Sequence, residues 1–227
     1  MSDTTSHTPK DEQHETCPLC GSDDAEPYLQ ADARDYSHCP VCRLIFVPPG
    51  FWPAPEAEKA RYEQHQNYGS DEGYIAFLRQ LSEPLVRLLP QGARGLDFGA
   101  GPASDGHPVL CELFQAQGIK CLPYDTYFFP ETPDGPFDFI AASETFEHLR
   151  HPREEIGRIY ENLKPGGLLG VMTAFWEEAL FANNWHYRRD FTHLCFYRME
   201  SFAWIQENFG FACRWTDERR VIILEKL

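Results

Sequence analysis

Residues 96–103, Leu-Asp-Phe-Gly-Ala-Gly-Pro-Ala, constrain the chain more than any other stretch. A short apolar run ends in Asp97, two glycines one residue apart follow, and helix-forming sequence comes next, which reads as the strand, turn and helix that open an α/β unit. Gly99 and Gly101 let the backbone approach a ligand closely, while the helix behind them offers unpaired N–H groups. An acid directly before the glycines is poorly placed for a pyrophosphate. It suits a cation, because its carboxylate accepts hydrogen bonds from an amine or a hydroxyl. An ordinary βα turn, or a dinucleotide site with an incomplete G-x-G-x-x-G, would use the same residues.

From about Gly92 to the C-terminus this pattern resembles the class I methyltransferases that use S-adenosylmethionine. The resemblance implies an α/β fold with a Rossmann-like sheet closed by a C-terminal antiparallel hairpin. It implies that Asp97, Gly99 and Gly101 hold the methionine end of the cofactor, with Phe98, Ala100 and Ser143 in the same binding site. An acid ending the second strand takes the ribose hydroxyls, and Asp125 stands there, after a strand that contains Pro123.

The following segments suit such a domain. Residues 108–117 carry Val109, Leu110, Leu113 and Phe114 on one face and stop at Gly118, as a crossover helix would. Residues 137–142 read as a fourth, buried strand. Residues 152–163 form the next helix, ended by Lys164-Pro-Gly-Gly, and 168–173 a fifth strand. A helix over 199–209 and strands over 211–216 and 221–224 complete the domain. Ahead of it, 56–66 is a polar helix candidate. Residues 73–89 are amphipathic, with Ser82-Glu83-Pro84 predicting a kink or a fresh helix at Pro84. By family analogy these helices fold over the cofactor, with Tyr62, His65 and Tyr68 as lid residues.

The N-terminus differs in character. Residues 1–16 have no apolar periodicity and are expected to be a disordered tail. Cys17-x-x-Cys20 and Cys39-x-x-Cys42 then match a four-thiolate zinc ribbon over 17–48, in which a metal replaces the core that so short a segment cannot build; a pair of redox dithiols is the rival. A site closed by four protein ligands leaves no place for substrate, so this Zn²⁺ is structural, and the ribbon could dock a protein partner. The organisation expected is therefore tail (1–16), ribbon (17–48), linker and lid helices (49–90) and methyltransferase domain (91–227).

A second constellation, Glu144-x-x-Glu147-His148, follows the strand over 137–142 at the end where open α/β sheets bind ligands. On one helical turn the three side chains would share a face, giving a mixed oxygen and nitrogen set suited to Mg²⁺, Mn²⁺ or Zn²⁺. The pattern is similar to two groups of metal-dependent O-methyltransferases, those of ubiquinone biosynthesis and those acting on the terminal 2′-hydroxyl of small RNAs. That likeness makes Glu144, Glu147 and His148 ligands, with His193 as the distant ligand and His186 as second choice. His148, or His186 and Asp190 nearby, could remove a proton from the acceptor. The same motif occurs in methyltransferases without a metal, where the His packs against strand ends. Residues 174–198 are rich in aromatics and carry Arg188, Arg189 and Arg198. They read either as an acceptor-pocket wall whose arginines meet an anionic substrate or as a self-packed insertion.

The formal charge of −15, from 20 basic and 35 acidic residues, makes nucleic acid or an anionic membrane an unlikely partner and points to a small-molecule acceptor. Isolated cysteines in apolar segments, and no signal-like leader, lead to the expectation of a cytoplasmic protein. The leading reading is S-adenosylmethionine-dependent O-methylation of a small molecule. The alternatives are a zinc-ribbon adaptor with a catalytically idle domain, and an RNA methyltransferase.

Overall fold

The computed structural model describes residues 15–64, 71–103 and 106–227. Most of the expected tail, together with His65 and Tyr68, lies outside them. In chain order the elements are β1 (Glu26–Ala31), β2 (Arg34–His38), β3 (Ile45–Phe46), α1 (Pro55–Tyr62), α2 (Glu72–Leu88), β4 (Arg94–Phe98), α3 (Val109–Gln115), β5 (Lys120–Tyr124), β6 (Phe137–Ser143), α4 (Pro152–Asn162), β7 (Leu163–Met172), α5 (Glu178–Ala182), α6 (His186–Arg189), β8 (Cys195–Phe196), α7 (Met199–Phe209), β9 (Phe211–Thr216) and β10 (Val221–Lys226).

A six-stranded mixed sheet in the order β5-β4-β6-β7-β10-β9 forms the centre. The first four strands are parallel, and β10 runs antiparallel to both β7 and β9, which gives the expected methyltransferase sheet with its final hairpin. One difference from expectation concerns the edge. The strand over 137–143 is the third of this sheet, because residues 125–136 contribute only an isolated bridge between Asp125 and Phe129. Strand order reverses around β4, so the chain ends of β4 and β6 open a crevice at their carboxyl side.

Each face of the sheet is covered. On one, α2 and α3 bury Leu78, Leu81, Leu85, Leu110 and Phe114 against Phe139, Met172 and Ile223. Asp71 caps α2 by accepting from the backbone N–H groups of Gly73 and Tyr74. Of the two outcomes expected at Pro84, the fresh helix does not occur: α2 runs through the proline, with buried Leu81 and Leu85 on either side of it packed at Gly170 of the sheet. On the other face α4 and α7 bury Ile156, Ile159, Phe202 and Ile205. The Lys164-Pro-Gly-Gly segment does more than end α4. Leu163 already pairs with Phe137, and the register then shifts before Phe139 pairs with Leu168, so the segment is a bulge within β7.

The cysteine-rich segment is not a separate body. Cys17, Leu19, Cys39, Cys42, Leu44 and Phe46 share one core with Phe146, Ile156 and Phe202, and β3 pairs with β8 to join a four-stranded sheet β1-β2-β3-β8. The insertion over 174–198 supplies the rest of that contact: Trp176, Phe181 and Phe196 are buried against Tyr36, Ile45 and Val47, with Tyr28 packed alongside. It is thus a self-packed aromatic layer, and only its Tyr187 and the polar residues near it reach the crevice. Among the described residues no helix is long and apolar enough to cross a membrane.

Gly95 in β4 is where the sheet is tightest, because a Cβ there would overlap the Phe139 ring, which packs on Phe114 with centroids 4.6 Å apart. Gly95→Ala is therefore expected to destabilise the protein by about 1–3 kcal/mol, the usual range for overpacking a well-filled core, read as a lowered denaturant midpoint in urea unfolding.

Candidate active site

A cleft of about 860 Å³ lies over the carboxyl ends of β4, β5 and β6. It is lined by Asp97, Phe98, Gly99, Ala100, Gly101, Asp125, Ser143, Glu144, His148, His186, Asp190 and His193. Residues chosen from four separate parts of the sequence thus meet in one place.

The turn after β4 is held by its neighbours. Gly99 and Ala100 donate their N–H groups to the Tyr124 carbonyl at 2.8 and 3.1 Å, tying the turn to the end of β5. Gly99 has φ 79° and a Cβ on it would collide with Thr145, whose hydroxyl donates to the carbonyls of Phe98 and Ser143, each at 3.1 Å. Both the backbone angle and the close approach therefore require glycine. Asp125 accepts from the N–H groups of Gly101, Tyr127 and Phe128, so its carboxylate is locked across the turn.

Asp97 is 2% exposed. Burial, with Asp125 nearby adding repulsion, pushes its carboxyl up to about 7. Tyr74 of α2 stands over this acid, and its phenol is raised above the ordinary range by burial and by the charges of Asp97 and Glu144.

The second constellation departs from the one-turn geometry expected for it. Only Phe146–His148 form a 3₁₀ turn, while Glu144 precedes it with φ 49°, a left-handed backbone that is strained for glutamate. The ligand atoms that converge are those of Glu147, His148 and His193, all within 4.8 Å of one another; Glu144 is not in that group but lines the cleft beside it. Glu147 is fully buried, and its carboxylate oxygens, like His193 Nδ1 and Glu144 Oε1, make no hydrogen bond of normal geometry, although the Tyr187 hydroxyl lies near enough to act on both acids and the Thr173 hydroxyl on Glu147. Burial raises the Glu147 carboxyl, and His148 opposes that shift. Burial, reinforced by Glu147, raises Glu144 strongly. His193 is pushed well below the usual imidazole range by burial and then by His148, so it is held neutral. The Nδ1 of His148 lies 2.9 Å from the Thr192 carbonyl, which can only accept, so Nδ1 carries a proton, and in a neutral ring the lone pair falls on Nε2, 3.9 Å from Glu147.

Asp190 is less suited to proton removal than its position suggests. Burial would raise it, but the Thr192 hydroxyl and N–H and the Arg61 guanidinium outweigh that and hold it at about 2. It therefore acts as an ion-pair anchor for α1. His186 is exposed at the cleft rim. Arg188 and Arg198 do not face the cleft: Arg188 is buried with Asp32 and the Phe181 carbonyl, and Arg198 pairs with Glu200 over the Trp176 ring. The arginines that do line the cleft are Arg61, Arg150 and Arg158, each matched to an acid.

Several contributors carried no sequence signal. Glu58 of α1 accepts from the Tyr62 hydroxyl (2.9 Å), the Tyr127 hydroxyl (3.0 Å) and Arg150 (2.9 Å), binding the helix to the loops after β5 and β6. Tyr62 then packs edge-on to His148 with centroids 5.1 Å apart, which sets the end of α1 against the cleft. Nothing in a polar helix singles out Glu58, and Thr145 differs from any threonine only by standing against Gly99.

Four cysteine sulfurs, those of Cys17, Cys39 and Cys42 buried and that of Cys20 half-buried, form the other constellation. Cys17 and Cys42 Sγ are 3.5 Å apart, Cys20 and Cys39 Sγ 3.4 Å, all four lie within 4.8 Å of one another, and none is in a disulfide. Each knuckle turns in the same way, with Gly21 and Arg43 at positive φ donating to the carbonyls of Cys17 and Cys39.

Residues 64–214 match the family described as methyltransferase domain. The chain belongs to that family of methyltransferases. Its fold is shared with 1,6-didemethyltoxoflavin-N1-methyltransferase of Burkholderia thailandensis, solved with 1,6-didemethyltoxoflavin and S-adenosylhomocysteine: 18% identity, 89% of this chain and 99% of that one covered, TM-score 0.51. Other similar structures are an S-adenosylmethionine-dependent methyltransferase of Thermotoga maritima (19% identity, 67% and 89% covered, TM-score 0.45) and the YcgJ protein of Bacillus subtilis (17% identity, 60% and 69% covered, TM-score 0.44). No curated protein matches the chain in sequence.

The raised Asp97 carboxyl has a measurable consequence for the ligand-free chain. A folded pKa of about 7, above the unfolded value, contributes stability at low pH that is lost as pH rises through 7. Between pH 6 and pH 8 this group alone is expected to remove about 1.4 kcal/mol. Asp97→Asn should abolish that component, so urea unfolding at the two pH values should show a smaller drop for the variant than for the wild type.

Proposed function

We propose that this enzyme transfers the methyl group of S-adenosylmethionine to an oxygen of a small molecule, with a divalent cation held by Glu147, His148 and His193 beside the acceptor. The observation that carries the reading is the convergence of buried ligand atoms at that point: the Glu147 carboxylate and His193 Nδ1, neither in a hydrogen bond of normal geometry although the Tyr187 and Thr173 hydroxyls lie close to Glu147, next to His148, whose Nδ1 is taken up by the Thr192 carbonyl so that Nε2 is the atom turned toward Glu147. Unpaired polar atoms in a dry site cost free energy unless a ligand satisfies them, and one carboxylate with two imidazoles suits Zn²⁺, Mn²⁺ or a similar ion. Glu144 fits as a further anion facing the same space.

The cofactor fits the other half of the cleft. Asp97 would face its cationic methionine end, the glycine turn would admit its backbone contacts and Asp125 would meet the ribose, with Phe98, Ala100 and Ser143 as the surrounding wall. Methyl transfer is an in-line displacement in which the S–CH₃ bond breaks as the C–O bond forms, so these residues contribute mainly by alignment and by excluding water. A divalent ion in the cluster supplies Lewis acidity that lowers the pKa of an acceptor hydroxyl. His186, exposed at the rim, is placed to pass the acceptor's proton to solvent, whereas ionised Asp190 keeps α1 closed. A small molecule is favoured by the size of the cleft, about 860 Å³, by its arginines being already paired with acids, and by the net charge of −15. The same pairing weakens the RNA reading. The idle-adaptor reading is weakened by the completeness of the cleft.

The four-cysteine cluster fits a closed structural Zn²⁺ site, because a shared ion satisfies thiolates that would otherwise repel at 3.4–3.5 Å. Elemental analysis of the purified protein should find one zinc per chain at this site, lost in Cys39→Ser, and loss of zinc should lower the thermal midpoint.

The cation reading is tested with Glu147→Gln and His193→Ala, using acceptors found by a screen with methyl-labelled cofactor. Turnover is expected to fall at least about 100-fold in each while cofactor affinity measured by calorimetry stays within a few-fold. Wild-type turnover in excess of a chelator too weak to strip the four-thiolate site would sink the reading.

A further inference from the structure

We propose that Arg34, in the hairpin of the cysteine-cluster segment, is a positioning residue for the active site: its guanidinium fixes the loop that carries Asp190 and His193. The contacts account for every donor it has. Nε donates to the Tyr36 hydroxyl at 2.8 Å, Nη1 to the carbonyls of Phe191 and His193 at 3.0 Å each, and Nη2 to the carbonyls of Asp190, at 2.8 Å, and Arg188. A guanidinium has five N–H groups in a rigid plane, and here five oxygens meet them. The side chain is 5% exposed, so these are desolvated, charge-assisted bonds.

Four carbonyls of residues 188–193 turned inward onto one cation cannot be held by regular structure, because α6 ends at Arg189 and β8 begins only at Cys195. The cation substitutes for the missing ladder. The hairpin turn that presents it is itself strained: Asp32 and Ala33 have φ of 54° and 59°, and Asp32 uses its carboxylate to accept from Arg188 Nε at 3.0 Å. From the loop the constraint continues into the cleft. Thr192 offers its carbonyl to His148 Nδ1, and Leu194 N–H donates to the Glu147 carbonyl at 2.6 Å. The hairpin thus sets where His193 sits relative to Glu147 and His148, and does so from residues over 150 positions away in sequence.

The clamp stands on these hydrogen bonds; its consequence for a cation rests on the preceding proposal. The test uses full-length Arg34→Gln and Arg34→Lys. Lysine keeps the charge, and so guards against a variant that merely fails to fold, but its single nitrogen has three donors and cannot span four carbonyls. In both variants, amide hydrogen exchange over 192–194 is expected to quicken at least tenfold while β4, β6 and β7 stay protected. Mn²⁺ affinity, followed by its paramagnetic resonance signal, should weaken at least tenfold with S-adenosylmethionine affinity within twofold. With an acceptor in hand, kcat should fall while the KM for cofactor holds. Unchanged exchange over 192–194 in Arg34→Gln, or restoration of Mn²⁺ affinity by lysine, overturns the proposal. Failure of the wild-type protein to bind Mn²⁺ would instead count against the cation reading, and faster loop exchange would still uphold the clamp.

Discussion

The parallel pairing of β4 with β5 on one side and β6 on the other is the constraint on which the site depends. Because the three strands point the same way, the loops that follow them emerge at one edge of the sheet, and because the connections run to opposite sides of β4, a crevice is left between them. Asp97 and the glycine turn, Asp125, and the Ser143–His148 segment are brought together by that register and by nothing nearer in sequence. Gly95 allows the Phe139 ring to lie against β4, and Thr145 closes over Gly99, so the same pairing fixes the floor of the cleft as well as its rim.

Burial of acid gives the cleft its character. Asp97, Glu144 and Glu147 are carboxyls withdrawn from water, and in each the first cause of the raised pKa is desolvation. Such groups are poor company for one another and good company for cations. A cleft with one buried acid beside the glycine turn and two more at the 3₁₀ turn has two places where positive charge is welcome, the two for which a sulfonium and a metal ion are proposed above. The arginines around the rim do not alter this, since Asp190 and Glu58 hold Arg61 and Arg150.

The cysteine-cluster segment and the catalytic domain share a core and a sheet, so each supplies what the other lacks. The short segment gains an apolar wall from Phe146, Ile156 and Phe202, and its hairpin gives the 188–193 loop the only cation that meets its carbonyls among the hydrogen bonds described. Aromatic residues over 174–198 form the layer between, packing Trp176 and Phe181 on Tyr28 and Tyr36. That their role is to join two parts of the chain explains why Arg188 is turned inward onto Asp32.

By itself the sequence determined the parts whose chemistry is local. Asp97 before Gly99 and Gly101, the two C-x-x-C pairs, the apolar spacing of α2 and α3 and the Glu147-His148 pair each carry their meaning within a few residues, because strand, turn and knuckle geometry fixes where neighbouring side chains go. Tertiary structure alone decided what depends on distant groups. It brought the ligand atoms of Glu147, His148 and His193 together with Glu144 beside them, paired Asp190 with Arg61, turned Arg188 and Arg198 away from the cleft, let α2 continue through Pro84, and enlisted Glu58 and Arg34. The physical reason is common to all of these: hydrogen bonds and desolvation act through space, and a buried side chain takes its role from the groups that surround it.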